Sequence, residues 1–332
     1  MARDPSPIFG PMWNLRHVLL LCSVLPALSG QGQDPASLLS TGDSLIRTGH
    51  YQKALDAFDE AVKVAPSAAT YSARARAYFA MDRIDRFVSD VQRAIALDSM
   101  YAEANYQRAL YAYQGEDFPS AERYATRGLE NAEDAALRTQ LLLLRGQTRA
   151  ELHSGISAAE DLREGLKARP DDIEANATLA RVLDEMHDHE GALPVLAHLC
   201  ELEPENVGHW TNRGFELAAL DRHEDALAMY AKALDIDKDE PVALSDRAYS
   251  LLKLGREDEA MKDVEKSLRY YPANAFALRT RALLRLRKGD RDKACSDLSL
   301  ARILGGVDDV DALIQEHCNN LPRERRQEPS RR

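Results

Sequence analysis

Aromatic side chains are scarce in this chain of 332 residues: they make up 6% of it, against 45% hydrophobic residues overall. A core filled mainly by rings is thereby excluded, and close packing of alanine-rich helices is favoured. Positive charge is also short. Lys and Arg total 43 against 54 Asp and Glu, a formal net charge of -11, so the chain lacks the basic surface that a nucleic-acid backbone requires. No apolar run reaches the roughly 20 residues of a membrane span. Nothing matches a phosphate-cradling glycine loop, a zinc-hydrolase helix or a nucleophile elbow.

What the chain does have is a period. In residues 207–240, Trp210, Gly214 and Leu217 fall on one stripe of a first helix, Ala226, Tyr230 and Ala233 fall on a second, and Asp221 to His223 supply the turn. Such a hairpin cannot bury its own apolar face and needs neighbours of its own kind. With Val207 as position 1, steps of 34 residues bring positions 20 and 27 onto Ala54/Ala61, Phe87/Ala94, Ala121/Gly128, Ala158/Gly165, Ala192/Leu199, Ala226/Ala233, Ala260/Ser267 and Ala294/Ala301. The spacing slips twice, by one residue fewer and by three more, each time in a loop. Position 32 is Pro66, Pro170, Pro204 and Pro272 in four units, where proline removes the donor another helical turn would need.

These residues resemble the tetratricopeptide repeat: the period of 34 with Gly42, Trp210, Gly214, Ala226, Ala233 and the closing prolines covers about residues 35–306. The resemblance implies an all-α, right-handed superhelical solenoid of antiparallel helix pairs whose first helices line a concave face. It does not name a ligand, because one scaffold serves many partners.

Within the units, position 8 is always small, and it is expected to face the small residue at position 20. Position 7 is arginine in six units (Arg74, Arg108, Arg145, Arg213, Arg247, Arg281), and position 23 is aspartate in four of those six (Asp90, Asp161, Asp263, Asp297). The co-occurrence predicts an Arg–Asp pair between the helices of a unit, with the planar guanidinium meeting the carboxylate in a two-pronged contact. Arg108 and Arg213 lack that aspartate and are the arginines best placed to serve a ligand.

In the family resembled here, positions 2, 5, 6, 9, 12 and 13 of the first helix face the concave side. They include Phe79, Tyr106, Leu110, Tyr113, Arg181, Asn212, Phe215, Tyr249, Phe276 and Arg279, a mixture able to hold an extended peptide or a partner helix. Repeats that grip a chaperone C-terminal carboxylate carry Lys, Asn and Arg on three consecutive first helices. Here those places hold Leu39 and Asp43, then Ala73, then Glu103 and Gln107, so that clamp is absent there. The run Asp184 to Glu190 offers His187 and His189 as metal ligands beside carboxylates. Its place in a turn, matched by Asp221 to His223 one period later, argues for ordinary polar turn chemistry. No metal, cofactor or catalytic group is expected. The Asn176 sequon falls inward on a first helix and is discounted.

The ends stand apart from the repeats. The apolar run Val18 to Leu28, with Arg16 and His17 before it and small residues after it, fits a secretory signal over residues 1–30 whose true start is Met12, followed by a linker at 31–34. A disordered extension on a cytosolic protein and a lipid anchor at Cys22 are the alternatives. Gly305-Gly306 closes the last repeat, and residues 307–320 form a capping helix with Val310, Leu313 and Ile314 on one side. Residues 321–332 make a basic, disordered tail. Removal of the signal leaves Cys200, Cys295 and Cys318, from which a Cys295–Cys318 disulfide stapling the cap is proposed, two buried thiols being the alternative. The whole reads as an exported, periplasmic or secreted, non-enzymatic scaffold that binds another protein or peptide. A cytosolic adaptor or co-chaperone is the first alternative, and a metal-binding or enzymatic protein using His187 and His189 the second.

Overall fold

The computed structural model describes residues 34–318. The apolar run 18–28, Cys22 and the tail 321–332 lie outside the described residues. Within them every regular element is a helix. Eight hairpins follow one another: α1 (Pro35–Arg47) with α2 (Tyr51–Val64), α3 (Ala68–Ala80) with α4 (Ile84–Leu97), α5 (Ala102–Gln114) with α6 (Phe118–Asn131), and α7 (Ala135–Glu151) with α8 (Gly155–Leu166). Then come α9 (Ile173–Glu185) with α10 (His189–Leu202), α11 (Val207–Ala219) with α12 (His223–Ile236), α13 (Pro241–Lys253) with α14 (Glu257–Tyr270), and α15 (Ala275–Arg287) with α16 (Arg291–Leu304). The short α17 (Val310–His317) ends the stack. None of these helices is long and apolar enough to cross a membrane.

The starts and stops follow local chemistry. Side-chain oxygens of Asp134, Asp172 and Asn274 accept from backbone N–H groups in the first turns of α7, α9 and α15, and Ser67 forms a reciprocal box with Thr70 at α3. The closing prolines lie in the loops between units. Each hairpin turns through one residue of positive φ at position 15: Gly49, Asp82, Glu116, His153, His187, Asp221, Gly255 and Gly289. His187 is therefore a turn residue standing where three other units place glycine.

Packing inside each unit departs from the sequence expectation. The small residue at position 8 lies under position 24, not position 20. A Cβ on Gly42 would stand 2.2 Å from the Phe58 ring, one on Gly146 2.7 Å from Leu162, and one on Gly214 2.5 Å from Tyr230. Where position 8 is alanine, position 24 is the smaller Val91, Ala125 or Val264, or a leucine. Volume is thus balanced across the pair, as a close-packed interior demands. Position 20 remains fully buried, as at Ala54, Ala121, Ala226 and Ala294.

Between units, first helices pack on first helices along most of the stack, while second helices contact mainly the flanking first helices. The first helices therefore form the inner, tighter layer. The pair α9 and α11 is an exception to that close contact. At the far end, Val310, Leu313 and Ile314 pack on the core of the last two units. The capping helix is shorter than expected: after Gly305 and Gly306, both at positive φ, residues 307–309 stay outside the helix, which begins only at Val310. Cys295 and Cys318 are joined by a disulfide, and Arg279 pairs with Asp309 just before α17.

Candidate functional site

The inner face is built by the first helices, so its character depends on which of their side chains remain free. Between α9 and α11 an open cleft of about 510 Å³ is lined by Glu174, Thr178, Arg181, Asn212 and Phe215, with His209 and Glu216 deeper. It lies where the first helices part. Arg181 is held between Glu151 at 2.6 Å and Glu185 at 3.0 Å, which fixes the guanidinium at the rim. Phe215 is 43% exposed and Asn212 is exposed beside it. Arg181, Asn212 and Phe215, expected to share a face, are thus brought together.

Tyr249 and Arg279 line a second hollow of about 400 Å³ with Lys253, Leu283 and His317. The Arg279 guanidinium sits 5.0 Å from the Tyr249 ring centroid and pairs with Asp309. Its charge is already committed to the cap. Phe276 belongs to a third hollow of about 380 Å³, with Val242, Asp246, Tyr271 and Leu304.

The remaining sequence candidates do not join these clefts. The Phe79 ring packs at a tilt of 52° against Phe87 of its own hairpin, with centroids 5.1 Å apart. Tyr106, Leu110 and Tyr113 pack against a core cluster that includes Leu141, Leu142 and Leu144, and the Tyr113 ring meets Phe118 edge-on at 5.7 Å. Burial pushes the Tyr106 and Tyr113 hydroxyls up from their ordinary pKa. These four residues serve packing between neighbouring helices.

The places a carboxylate clamp would use are occupied by structure. Arg76 bridges Asp43 of the first unit and Glu103 of the third. Gln107 is buried, donating to the Ser72 carbonyl at 2.9 Å and accepting from its hydroxyl at 3.0 Å.

The histidine run is rearranged relative to expectation. His189 is the first residue of α10 rather than part of the turn, and its Nδ1 lies 2.7 Å from Glu216 and 4.0 Å from Asp184. Those three residues, not His187, form the group whose ligand atoms lie within 4.8 Å of one another. The exposed His187 ring is 5.9 Å from that of His189. Burial raises the Glu216 carboxyl above its ordinary pKa, against the hydrogen bond from His189, which lowers it. One unit later His223 meets Ser250 at 3.4 Å in the same geometry. The contact is a recurring link between units, and its Ser250 form has no second carboxylate to hold an ion.

Two features escaped the sequence reading. Position 4 donates a hydrogen bond to the carbonyl six residues back: Asn105 to Ser99 at 3.0 Å, Asn176 to Pro170 at 2.7 Å and Trp210 to Pro204 at 2.8 Å. The shared register of three unlike donors is the only sequence signal for it. The second is Asp246 at position 6 of α13. Burial, with Glu240 nearby, pushes its carboxyl up to about 7, while the adjacent Ser245 hydroxyl is buried without a partner. Its register belongs to the inner-face series, in which a lone aspartate carries no signal of its burial.

Comparison with known proteins agrees with this architecture. The family model described as tetratricopeptide repeat matches residues 39–99, and a second of the same description matches 210–240 and 243–274. A stretch of 87 residues, 26% of this chain, is 33% identical to the inactive TPR repeat-containing thioredoxin TTL3 of Arabidopsis thaliana, covering 13% of that protein. A stretch of 107 residues, 31% of this chain, is 28% identical to the tetratricopeptide repeat and J domain-containing co-chaperone DNJ1 of Cryptococcus neoformans, covering 20% of it. The chain therefore spans a fifth or less of the length of these relatives. Among solved structures, YrrB, a TPR protein with an unusual peptide-binding site, superposes with a TM-score of 0.53 at 24% identity over 57% of this chain and 97% of that one. PilF of Pseudomonas aeruginosa does so with a TM-score of 0.53 at 12% identity over 65% of this chain and 97% of its own. The family-model matches and the eight hairpins in one register, with their shared turn and packing positions, support a tetratricopeptide-repeat protein.

Proposed function

We propose that the protein is an exported, non-enzymatic scaffold that binds a peptide or a segment of a partner protein along its inner face, with the α9–α11 cleft as the principal contact. The observation that carries this reading is the cleft itself. It is open, partly apolar, and combines an exposed ring, Phe215, with the polar Asn212 and the rigidly held Arg181. Such a combination of aromatic anchor and fixed polar groups is what peptide grooves use. YrrB, a protein of like fold, has a peptide-binding site of its own, and the same use fits this scaffold.

Export is supported by the apolar run 18–28 and by the Cys295–Cys318 bond, which suits an oxidising compartment. The intact mass of protein expressed with its native start tests it. Loss of the segment containing Trp13 is expected, and a mature species that retains Trp13 overturns export. For the binding role, a photo-crosslinker at position 215 is expected to capture a partner that the same group at Ile156, an exposed site outside the cleft, does not. Capture must fall when Arg181 and Asn212 become alanine. Equal capture from both positions, or no dependence on Arg181 and Asn212, overturns the assignment of the cleft.

A further inference from the structure

The arginines at position 7 show what each unit requires. Arg74, Arg145, Arg247 and Arg281 meet Asp90, Asp161, Asp263 and Asp297, and in each pair the Nε–carboxylate distance is 2.7–2.9 Å. Arg108 has Tyr124 in place of the aspartate, and its guanidinium lies 5.6 Å from that ring. Units with Thr41 or Leu179 at position 7 place Ala57 or Val195 at position 23 and have no charge to satisfy. One unit breaks the rule. Arg213 keeps the arginine, but position 23 is Met229, and the Arg213 Nε is buried with no hydrogen-bond partner. The Cys200 thiol lies near this guanidinium, but a thiol is a weak acceptor and carries no charge to balance it.

That arginine borders a groove of about 420 Å³ between α10 and α12, on the side of the stack away from the inner face. Pro194, Ala197, Leu217 and Met229 form its apolar walls, and at the rim Arg222 is neutralised by Asp225 at 2.8 Å. The next groove along, between α12 and α14, holds Arg247 already paired with Asp263. Arg213 is half-buried and forms no ion pair among the described residues, so a carboxylate entering the groove would meet an uncommitted charge. A phosphate would call for several free donors, and here a single cation is uncommitted. Apolar walls beside one charge suit a carboxylate carried on a chain with aliphatic neighbours.

We propose that the α10–α12 groove binds an acidic side chain of a partner polypeptide, whose carboxylate pairs with the Arg213 guanidinium and balances the charge that aspartate balances in four other units. The site is separate from the inner-face cleft and does not depend on it. Binding of the peptide acetyl-Leu-Glu-Leu-amide to the full chain, measured by calorimetry at low salt, tests it. The glutamate peptide is expected to bind about tenfold more tightly than its glutamine counterpart, the worth of one charge-assisted contact. Met229→Asp is expected to remove that preference and to raise Tm by supplying the internal partner, while Met229→Leu, with the same apolar wall, keeps the preference. Arg213→Met removes it as well. Equal binding of the two peptides, no detectable binding of the glutamate peptide, or a preference that survives Met229→Asp overturns the proposal. Hexanoate binding more tightly than the peptide overturns the assignment to a polypeptide.

Discussion

Gly214 on α11 lies against the Tyr230 ring on α12 so closely that a Cβ there would stand 2.5 Å from Cε1. Tyr230 is 1% exposed, so the ring has nowhere to retreat. Gly214→Ala is therefore expected to destabilise the fold by roughly 1–3 kcal/mol through overpacking. Adding Tyr230→Leu, the partner Ala180 already has in Leu196, is expected to return part of that loss. A double-mutant cycle in urea measures the coupling, and strict additivity would show that the two positions do not share space.

Asp161 and Asp263 occupy the same register but carry different loads. Asp161 accepts from Arg145 at 2.7 Å and also from Arg149 at 2.8 Å, while Asp263 accepts from Arg247 alone. Both carboxylates are largely buried and their arginines partly exposed. Removing one partner of such a pair costs up to about 3–5 kcal/mol when dry and less here, where the arginines keep some water. Asp161→Ala is expected to cost more than Asp263→Ala, because it strands Arg145 and also takes one of two carboxylates from Arg149, which keeps Glu122 at 2.7 Å. Arg247→Met with Asp263→Leu together is expected to cost less than either half alone. Urea midpoints for the five variants, the two alanine changes, the two halves and their combination, decide both orderings.

The Arg–Asp pairs are legible in the sequence because charge of opposite sign recurs sixteen residues apart, and nothing else in the unit explains it. The position 8 contact is not legible, for a complementary reason. Two small positions, 8 and 20, invite pairing on paper, yet a small residue usually marks a neighbour that is large, here Phe58, Leu162 and Tyr230. Candidates for the inner face divide in the same way. Arg181, Asn212 and Phe215 stay free because α9 and α11 part, whereas Tyr106, Leu110 and Tyr113 are absorbed where α5, α6 and α7 close up. Register places a side chain on a face, but only the spacing of neighbouring helices decides whether that face is open.

His187 has φ of 58° at the turn between α9 and α10, a conformation that costs a non-glycine residue about 1 kcal/mol. Glycine stands at this register in Gly49, Gly255 and Gly289. His187→Gly is expected to leave Tm unchanged or raise it slightly, since relief of strain offsets the greater freedom of glycine in the unfolded chain. A loss above about 1 kcal/mol would give the His187 side chain a stabilising role that its exposure does not suggest.

The Cys295–Cys318 bond closes a loop with a sequence separation of 23 and ties α17 to α16. Chain entropy assigns such a closure about 3 kcal/mol. Reduction is expected to loosen the cap first, exposing Val310, Leu313 and Ile314, which cover the core of the last two units. Hydrogen exchange after reduction is expected to rise in residues 275–317 ahead of the first units. Both thiols reacting with an alkylating agent in unfolded, unreduced protein would show that the bond is not formed.

Asp246 supplies the pH dependence. Its carboxyl is pushed up to about 7 by burial and by Glu240, while in the unfolded chain it titrates near the ordinary value of about 4. Between those values the folded state holds a proton that the unfolded state has released, so the Asp246 contribution to stability falls as pH rises through the window. Below about 4 both states are protonated and the penalty vanishes. Asp246→Asn keeps the shape and removes the charge, and is expected to flatten the slope between pH 4 and 7, gaining on the order of 1 kcal/mol at pH 7 after allowance for the partly exposed site. Glu216, raised by burial as well, contributes a slope of the same sign that Asp246→Asn leaves in place. Urea midpoints for wild type and Asp246→Asn at pH 4, 5.5 and 7 separate the two. Parallel curves would place the Asp246 carboxylate in water and remove it as the source of the slope.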